Sequence, residues 1–489
     1  MERRKFLGGL PLAVGGVLAL RTMDSPAQTL PTAGANVKSF GAVGDGVTDD
    51  TAAFQAAAAY SVANGVIIYV PSATYIVSSL IICAFGAAGG GFVGDGKYNS
   101  TIKTKNPSSG IFKFSGTYGV LAEIGLTASV AQMNGALFTS ACGSEYYTSL
   151  KFDNYFIGLQ AGGNVCVLRD CDFTNPNSSA SVGIIINGYA GGMVIDNMVA
   201  YVPSITPLAG IQILSCGAVQ ISNSNIISQG SCLFINPGSG QGANSINVIN
   251  TFFDSATRGV YILPQPGGSV SRCSFTQVWT SSHTSGGFVI DGSYGVVTGI
   301  QIHSAQVNFN HSDGLEIIGG NASNIDIVGG EFVGNTGSGI TLGSNASYIR
   351  IRNVFSGAGY GGLGNAFGMY INNTGVTNYS ISDSHFSGNI SGQLIDFANT
   401  GIIKNCVGFT SKNSGASTVS ASGSEVINHG LSATPSYQNF FISATNSWGS
   451  TNLYVDPGSI TPTQFTVRAS TAPSSGLNFN WRATCSGEI

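Results

Sequence analysis

Acidic side chains are scarce in this chain, 23 Asp and Glu among 489 residues, so places where they gather carry information. The densest gathering runs from Asp291 to Glu331. Glu316 is the third residue of Gly314-Leu315-Glu316-Ile317, and Asp313 stands just before that tetrapeptide. Asp291 directly follows Ile290 in an equivalent tetrapeptide, Gly287-Phe288-Val289-Ile290. Period-two alternation turns Glu316 outward from such a segment. If the two segments are neighbouring strands, about 4.8 Å apart, the three carboxyl groups share one surface. Two carboxyls about 5–10 Å apart, flanking a glycosidic bond, supply the acid and the base or nucleophile of hydrolysis. Elimination from a uronate needs a base and a partner for the substrate carboxylate, Ca²⁺ or Arg. Asp291, Asp313 and Glu316 are therefore the candidate catalytic set. Tyr261, Trp279, His283 and Tyr370 are candidate substrate contacts, the aromatic rings being suited to sugar faces. Each acid alone reads as a solvated surface carboxylate; only the grouping points to chemistry.

Distant carboxylates become neighbours only if the chain repeats. A pattern of Gly, apolar, any residue, apolar recurs at Gly158, Gly183, Gly210, Gly259, Gly287, Gly314, Gly339 and Gly368, with weaker copies at Gly110, Gly135, Cys232 and Gly392. The step is roughly 25 residues, and a near-constant step implies one structural unit per repeat. Within each unit a second alternation follows, such as Ile300-Gln301-Ile302 or Ile349-Arg350-Ile351, and then a third short apolar stretch such as Glu331-Phe332-Val333. Such short strands cannot bury their faces alone, but stacked coils can. The expected fold is all-β, a right-handed parallel β-helix of about 12 coils. The leading glycines suit sharp corners with positive φ. Cys171, Cys273 and Cys406 recur at similar places in different coils and read as small buried residues rather than bridges or metal ligands. Asn310 and Asn335, each four residues before a repeat glycine, read as rungs of an amide ladder.

Composition agrees. Charged residues are only 9%, against about 25% in ordinary soluble proteins, and Gly numbers 69. Net charge is −4, and four basic residues lie at or before Arg21. No basic surplus remains for nucleic acid, and no run of lysines or arginines marks a cationic groove. Residues 1–27 read as an export signal: Arg3-Arg4-Lys5-Phe6-Leu7, an apolar run from Gly8 to Leu20, then Ser25-Pro26-Ala27. The arginine pair is twin-arginine-like, which places the mature protein in the periplasm or outside the cell. The apolar run is too short for a comfortable membrane span.

Before the repeats lies Val37-Lys38-Ser39-Phe40-Gly41-Ala42-Val43-Gly44-Asp45-Gly46-Val47-Thr48-Asp49-Asp50-Thr51, then an alanine-rich helical segment, the strand Ile67-Ile68-Tyr69-Val70 and Gly91-Phe92-Val93-Gly94-Asp95-Gly96. Asp49 or Thr48 can cap the helix, which would shield the first coil. This opening resembles that of pectate-lyase-superfamily β-helix proteins, tailspike-like depolymerases and polygalacturonase-like hydrolases among them. The resemblance spans roughly residues 37–409 and implies a β-helix acting on polysaccharide, with Asp45, Asp49 and Asp50 belonging to turn and cap. It is incomplete. Asn324-Ile325-Asp326 and Arg350-Ile351-Arg352 partly match the first and last polygalacturonase-like motifs, but no Asp-Asp or Gly-His-Gly lies between them. No calcium-and-arginine lyase set stands out.

The expected organisation is thus a β-helix with its cap over 37–410, a Ser/Gly/Ala-rich linker over 411–424 and a small β module over 425–489. Trp448 and Trp481 read as module core before sugar platforms. The functional expectation is an exported polysaccharide-degrading enzyme, hydrolase or lyase, with Ca²⁺ needed only by a lyase. The alternatives are a non-catalytic glycan-binding β-helix and a spike-like homotrimer with sites between subunits.

Overall fold

The computed structural model describes residues 35–129, 135–202, 205–227, 229–359, 362–447 and 449–485. Residues 1–27, expected from the sequence to be an export signal, and Trp448 lie outside the described residues. The repeats stack as a parallel β-solenoid of about 13 turns. One wall is a 13-stranded parallel sheet, and its strands begin within a residue or two of each repeat start. From Ile157–Ala161 it runs through Val182–Ile186, Ala209–Ile213, Ser231–Ile235, Arg258–Ile262, Phe288–Asp291, Leu315–Ile318 and Ser338–Leu342 to Phe367–Ile371. The second and third strands of each coil form a 25-stranded sheet around the other sides. Alternation sends Val260, Ile262, Phe288, Ile290, Leu315, Ile317, Ile340 and Leu342 into the core, all fully buried.

The leading glycines prove necessary for a reason other than positive φ. Gly259, Gly287, Gly314, Gly339 and Gly368 are absent from the left-handed region. What they lack is room. A Cβ at Gly259 would lie 2.5 Å from the Gly287 carbonyl oxygen and 2.7 Å from His283 Nε2. One at Gly368 would lie 2.5 Å from Asn389 Nδ2 and 2.5 Å from the Gln393 carbonyl oxygen. The left-handed corners fall instead between the second and third strands, at Asp170, Asn197, Asn223, Asn250, Gln277, Ser304, Asn353, Asp383 and Asn405. Asn and Asp tolerate this conformation best among non-glycine residues. Their side chains also bond along the corner: Asn197 Nδ2 donates to Asp170, and Asn250 Nδ2 to Asn223, at 2.6 and 2.8 Å. The chain's abundant asparagine thus serves the corners.

A second amide column is buried. Asn310 Nδ2 donates to Asn335 Oδ1, Asn335 Nδ2 to Asn365 Oδ1, and Asn365 Nδ2 to Asn389 Oδ1, at 2.8, 2.8 and 3.0 Å. Each acceptor oxygen also receives the backbone N–H of the preceding rung. This is the ladder expected from Asn310 and Asn335, extended by two rungs.

Thr51–Asn64 is the expected helix, and it covers the first coil. Phe54 is its plug, with ring centroids 6.1 Å from Phe92 and 6.5 Å from Phe112. Asp50 occupies the N-cap position, but its carboxylate turns back to accept the Val43 and Gly44 N–H groups. Asp49 accepts the Thr51 N–H at 3.0 Å and pairs with Lys105 at 2.9 Å. Asp45 accepts the N–H groups of Val47 and Thr48. The N-cap residue is thus Asp50 rather than the expected Asp49 or Thr48, while all three acids hold the turn and helix start as the motif implies.

Cys171, Cys216, Cys232 and Cys273 are buried and donate their S–H groups to the carbonyls of Arg169, Asn244, Ile226 and Ser271. Burial pushes the thiols up, to about 12 for Cys171 and Cys273 and about 11 for Cys216. Because the thiolate is the reactive form, alkylation at pH 8, read by peptide mass spectrometry, is expected to leave these four unlabelled in the native protein. All four should label after denaturation. Labelling of any of them in the native state would contradict the burial described.

At the C-terminus the linker reading needs correction. Lys412–Val419 is a strand, paired antiparallel along its length with Leu477–Thr484, and Phe440–Ala444 pairs on the other side of that strand. A second three-stranded sheet holds Ser424–Asn428, Gln464–Ala469 and Leu453–Val455. Small residues here serve packing. A Cβ at Gly415 would lie 2.9–3.1 Å from the Trp481 indole, so glycine lets that ring lie on the strand. Trp481 is a core residue, edge-on to Phe465 at 5.6 Å.

Candidate functional site

The 13-stranded wall carries an outward column one residue wide. Phe234, Tyr261, Val289, Glu316, Thr341 and Tyr370 are register partners from strand to strand. Tyr261 and Tyr370 therefore stand two strands to either side of Glu316, about 10 Å away along the axis. A parallel column precedes the glycines. There Gly259 N–H donates to the Gly286 carbonyl and Gly287 N–H to the Asp313 carbonyl, which aligns Arg258, Gly286 and Asp313. Asp291 pairs with Ile318, two residues beyond Glu316, so it sits diagonally across, with Cα atoms about 8 Å apart.

The three acids thus share one face. Burial raises the Glu316 carboxyl above its ordinary range, and the charges of Asp313 and Asp291 add to this, while Arg258 opposes it. Asp313 is fixed by accepting the Ser338 N–H at 2.6 Å, and Asp291 accepts the Ser293 N–H at 2.8 Å. The Arg258 guanidinium lies 4.4 Å over the Tyr261 ring, which stacks on Phe234 at 5.2 Å. Gly286 separates Arg258 from Asp313 in their column, and Val289 separates Tyr261 from Glu316 in theirs. Along these columns a cation and an aromatic ring stand on one side of Gly286 and Val289, and two carboxyls on the other. A half-buried carboxyl with a raised proton affinity beside two other acids is the arrangement that lets one act as acid and another as base or nucleophile.

Asp254 and Arg258 are only four residues apart in the sequence, but they serve different faces. Asp254 pairs with Ser281 on the other sheet, whereas Arg258 belongs here. The signal was available, since Arg258 precedes a repeat glycine just as Asp313 does. Tyr294, 61% exposed and near enough to Tyr261 to influence its proton, was also missed, because it lies in a turn outside the repeat.

Two proposed contacts stand elsewhere. Trp279 is on the third strand of its coil, between Phe252 and Gln306, and faces a different side. His283 is fully buried. Its Nδ1 accepts the Ala256 N–H at 3.1 Å, and its own N–H goes to Asn310 Oδ1, so it is the first rung of the buried amide column. It cannot touch a sugar. Burial lowers its imidazole to about 4. The unfolded imidazole takes a proton near pH 6.5 and the folded one only near 4, so in that window the unfolded state binds more protons. Stability should therefore fall as pH drops from about 6.5 to 4, by about 3 kcal/mol from this group. His283→Asn keeps a rung and should flatten that slope in urea titrations across the window; an unchanged slope would refute the assignment.

Asp326 and Arg350 pair across adjacent coils at 3.5 Å, and Arg352 joins them at 3.0 Å. Among the described residues no cluster of three or more His, Cys, Asp or Glu is arranged to hold a metal, and no helix is long and apolar enough to cross a membrane.

The fold is that of a parallel β-helix. Residues 34–261 match the family model described as rhamnogalacturonase A/epimerase, pectate lyase-like. Among solved structures, the A-module of the Azotobacter vinelandii mannuronan C-5 epimerase AlgE6 is 16% identical, with a TM-score of 0.53 over 76% of this chain and 99% of that one. The Dettilon tailspike protein is 12% identical, with a TM-score of 0.54 over 92% and 94%. The tailspike of E. coli bacteriophage HK620, solved with a pentasaccharide, is 11% identical, with a TM-score of 0.51 over 92% and 93%. At these identities the likeness is one of fold. No curated protein matches the chain in sequence.

Proposed function

We propose that this is an exported polysaccharide-active enzyme, a glycoside hydrolase whose acid is Glu316 and whose second carboxyl is Asp313 or Asp291. The observation that carries the reading is the raised Glu316 carboxyl beside two acids on one outward face, with Tyr261 and Tyr370 placed to either side along the axis. The spacing of those rings suits an extended glycan lying along the solenoid. The epimerase and tailspike neighbours support polysaccharide as the partner, and the twin-arginine-like leader supports export. Hydrolysis is favoured over elimination because the set combines one protonatable acid with fixed carboxylates, which is what glycoside cleavage uses.

The test is a panel of polysaccharides incubated with the purified protein and assayed for reducing ends and for ultraviolet-absorbing unsaturated products. New reducing ends without absorbance are expected. Absorbing products would make the protein a lyase, and neither signal would leave a glycan-binding role in its place.

A further inference from the structure

A second cleft, of about 230 Å³, opens on the third-strand face of the first coils. It is lined by Lys97, Lys103 and Lys151, by Tyr98 and Asp153, and by Thr74, Thr101 and Thr127. The lysines come from three separate segments, so nothing in the linear sequence marks them, and the absence of a basic run there was misleading. Parallel register gathers them. Thr101, Gly125, Lys151 and Asp172 are partners in one outward column, and Lys103, Thr127 and Asp153 in the next. Gly125 opens the floor: a Cβ there would lie 2.6 Å from the Lys97 carbonyl oxygen, so glycine lets the Asp95–Asn99 turn fold over it. That turn is pinned, since Asp95 accepts the Ser72 N–H at 2.7 Å and Gly96 N–H donates to the Glu123 carbonyl at 3.1 Å.

The charges do not cancel. Lys97 is held by Asp172 at 2.8 Å and by the Asp170 carbonyl at 3.0 Å. Lys151 reaches Asp153 only at 3.9 Å, and that carboxylate oxygen already accepts from Thr174 and Asn175, each at 2.8 Å. Lys103 has no carboxylate within ion-pair distance among the described residues. Three ammonium groups thus face two carboxylates. Tyr98, 67% exposed, is fixed by its hydroxyl to Asp172, and the ammoniums of Lys97 and Lys151 lie 5.7 and 5.5 Å from its ring centre. Lysines with a surplus of positive charge, threonines beneath and a rigid aromatic ring beside them match a sugar bearing a negative charge. The same face offers continuation: the Lys151 column runs through Asp172, Val199 and Asn225 to Phe252 and Trp279, whose rings lie 5.6 Å apart.

We infer that this cleft is a separate binding site for an anionic saccharide, carrying carboxylate or sulfate, remote from the acid cluster and on another face. It holds the glycan rather than cleaving it, so its failure leaves the reading of Glu316 untouched, and the reverse.

The experiment is calorimetric titration of the full chain at low salt with three tetrasaccharides: a tetragalacturonate, a heparin-derived tetrasaccharide and neutral maltotetraose. At least one of the charged pair should bind, which of them reporting carboxylate or sulfate, and maltotetraose should not. Lys103→Gln with Lys151→Gln should weaken binding about tenfold or more, as loss of two charge-assisted contacts implies. Glu316→Gln should bind as the wild type does. Maltotetraose binding equal to the charged ligands, binding unaffected by the lysine pair, or no binding of either anion would overturn the inference. Unfolding midpoints of the variants, expected to match the wild type, separate loss of the site from loss of the fold.

Discussion

Glu316→Gln is expected to slow glycan cleavage by about 10²–10⁴-fold, the usual worth of a general acid, while the unfolding midpoint stays within error of the wild type. Glutamine keeps the shape and half-buried position of the side chain but has no transferable proton. The stronger signature is in pH. Burial chiefly, then the charges of Asp313 and Asp291, raise the Glu316 carboxyl, so it stays protonated to higher pH than an ordinary glutamic acid. Activity should fall as pH rises through that raised value. Asp313→Asn removes one of the two like charges, so the alkaline limb should move to lower pH, alongside any loss of rate. Full activity in Glu316→Gln would end the proposal for this site. An alkaline limb unmoved in Asp313→Asn would show that the two carboxyls do not sense each other.

Asn335→Ala should destabilise the protein by about 3–5 kcal/mol, more than an ordinary surface change by severalfold. Asn335 Oδ1 accepts two N–H groups of Asn310, and its Nδ2 donates to both Asn365 Oδ1 and the Val307 carbonyl. Alanine strands those groups in a site that is 1% exposed. Asn389→Ala, at the end of the column and 8% exposed, should cost less, because no further asparagine rung depends on it. Urea unfolding of the two variants against wild type measures both. Equal and small effects would mean that water replaces the ladder readily.

The architecture was legible because the repeat is long and its step nearly constant. Glycine-led tetrapeptides specified one wall, and alternation within them specified which way Glu316 points. The reason for the glycines was not legible. Their side-chain space is taken by His283 and by the asparagines of the ladder, and those neighbours lie a coil away in sequence. The same remoteness hid His283, whose residue type suggested a surface contact although its place in the column buries it. Asp291, Asp313 and Glu316 could be grouped because all three sit in, or next to, the repeating tetrapeptide. The lysines of the N-terminal cleft could not, because one belongs to a turn and the others to strands outside that tetrapeptide. The C-terminal strand Lys412–Val419 was hidden for the opposite reason: its residues are small because Trp481 lies against them, and small polar residues read as linker.

Stacked coils have no natural stopping point, since every rung presents the hydrogen-bonding groups that the next would need. Phe54 and the helix that carries it end the series at one side by replacing a would-be rung with a segment whose amide groups are already used internally. Cutting away Thr51–Asn64 would leave a templating surface, and the expected fate of such a truncated chain is end-to-end growth into fibrils rather than simple loss of structure.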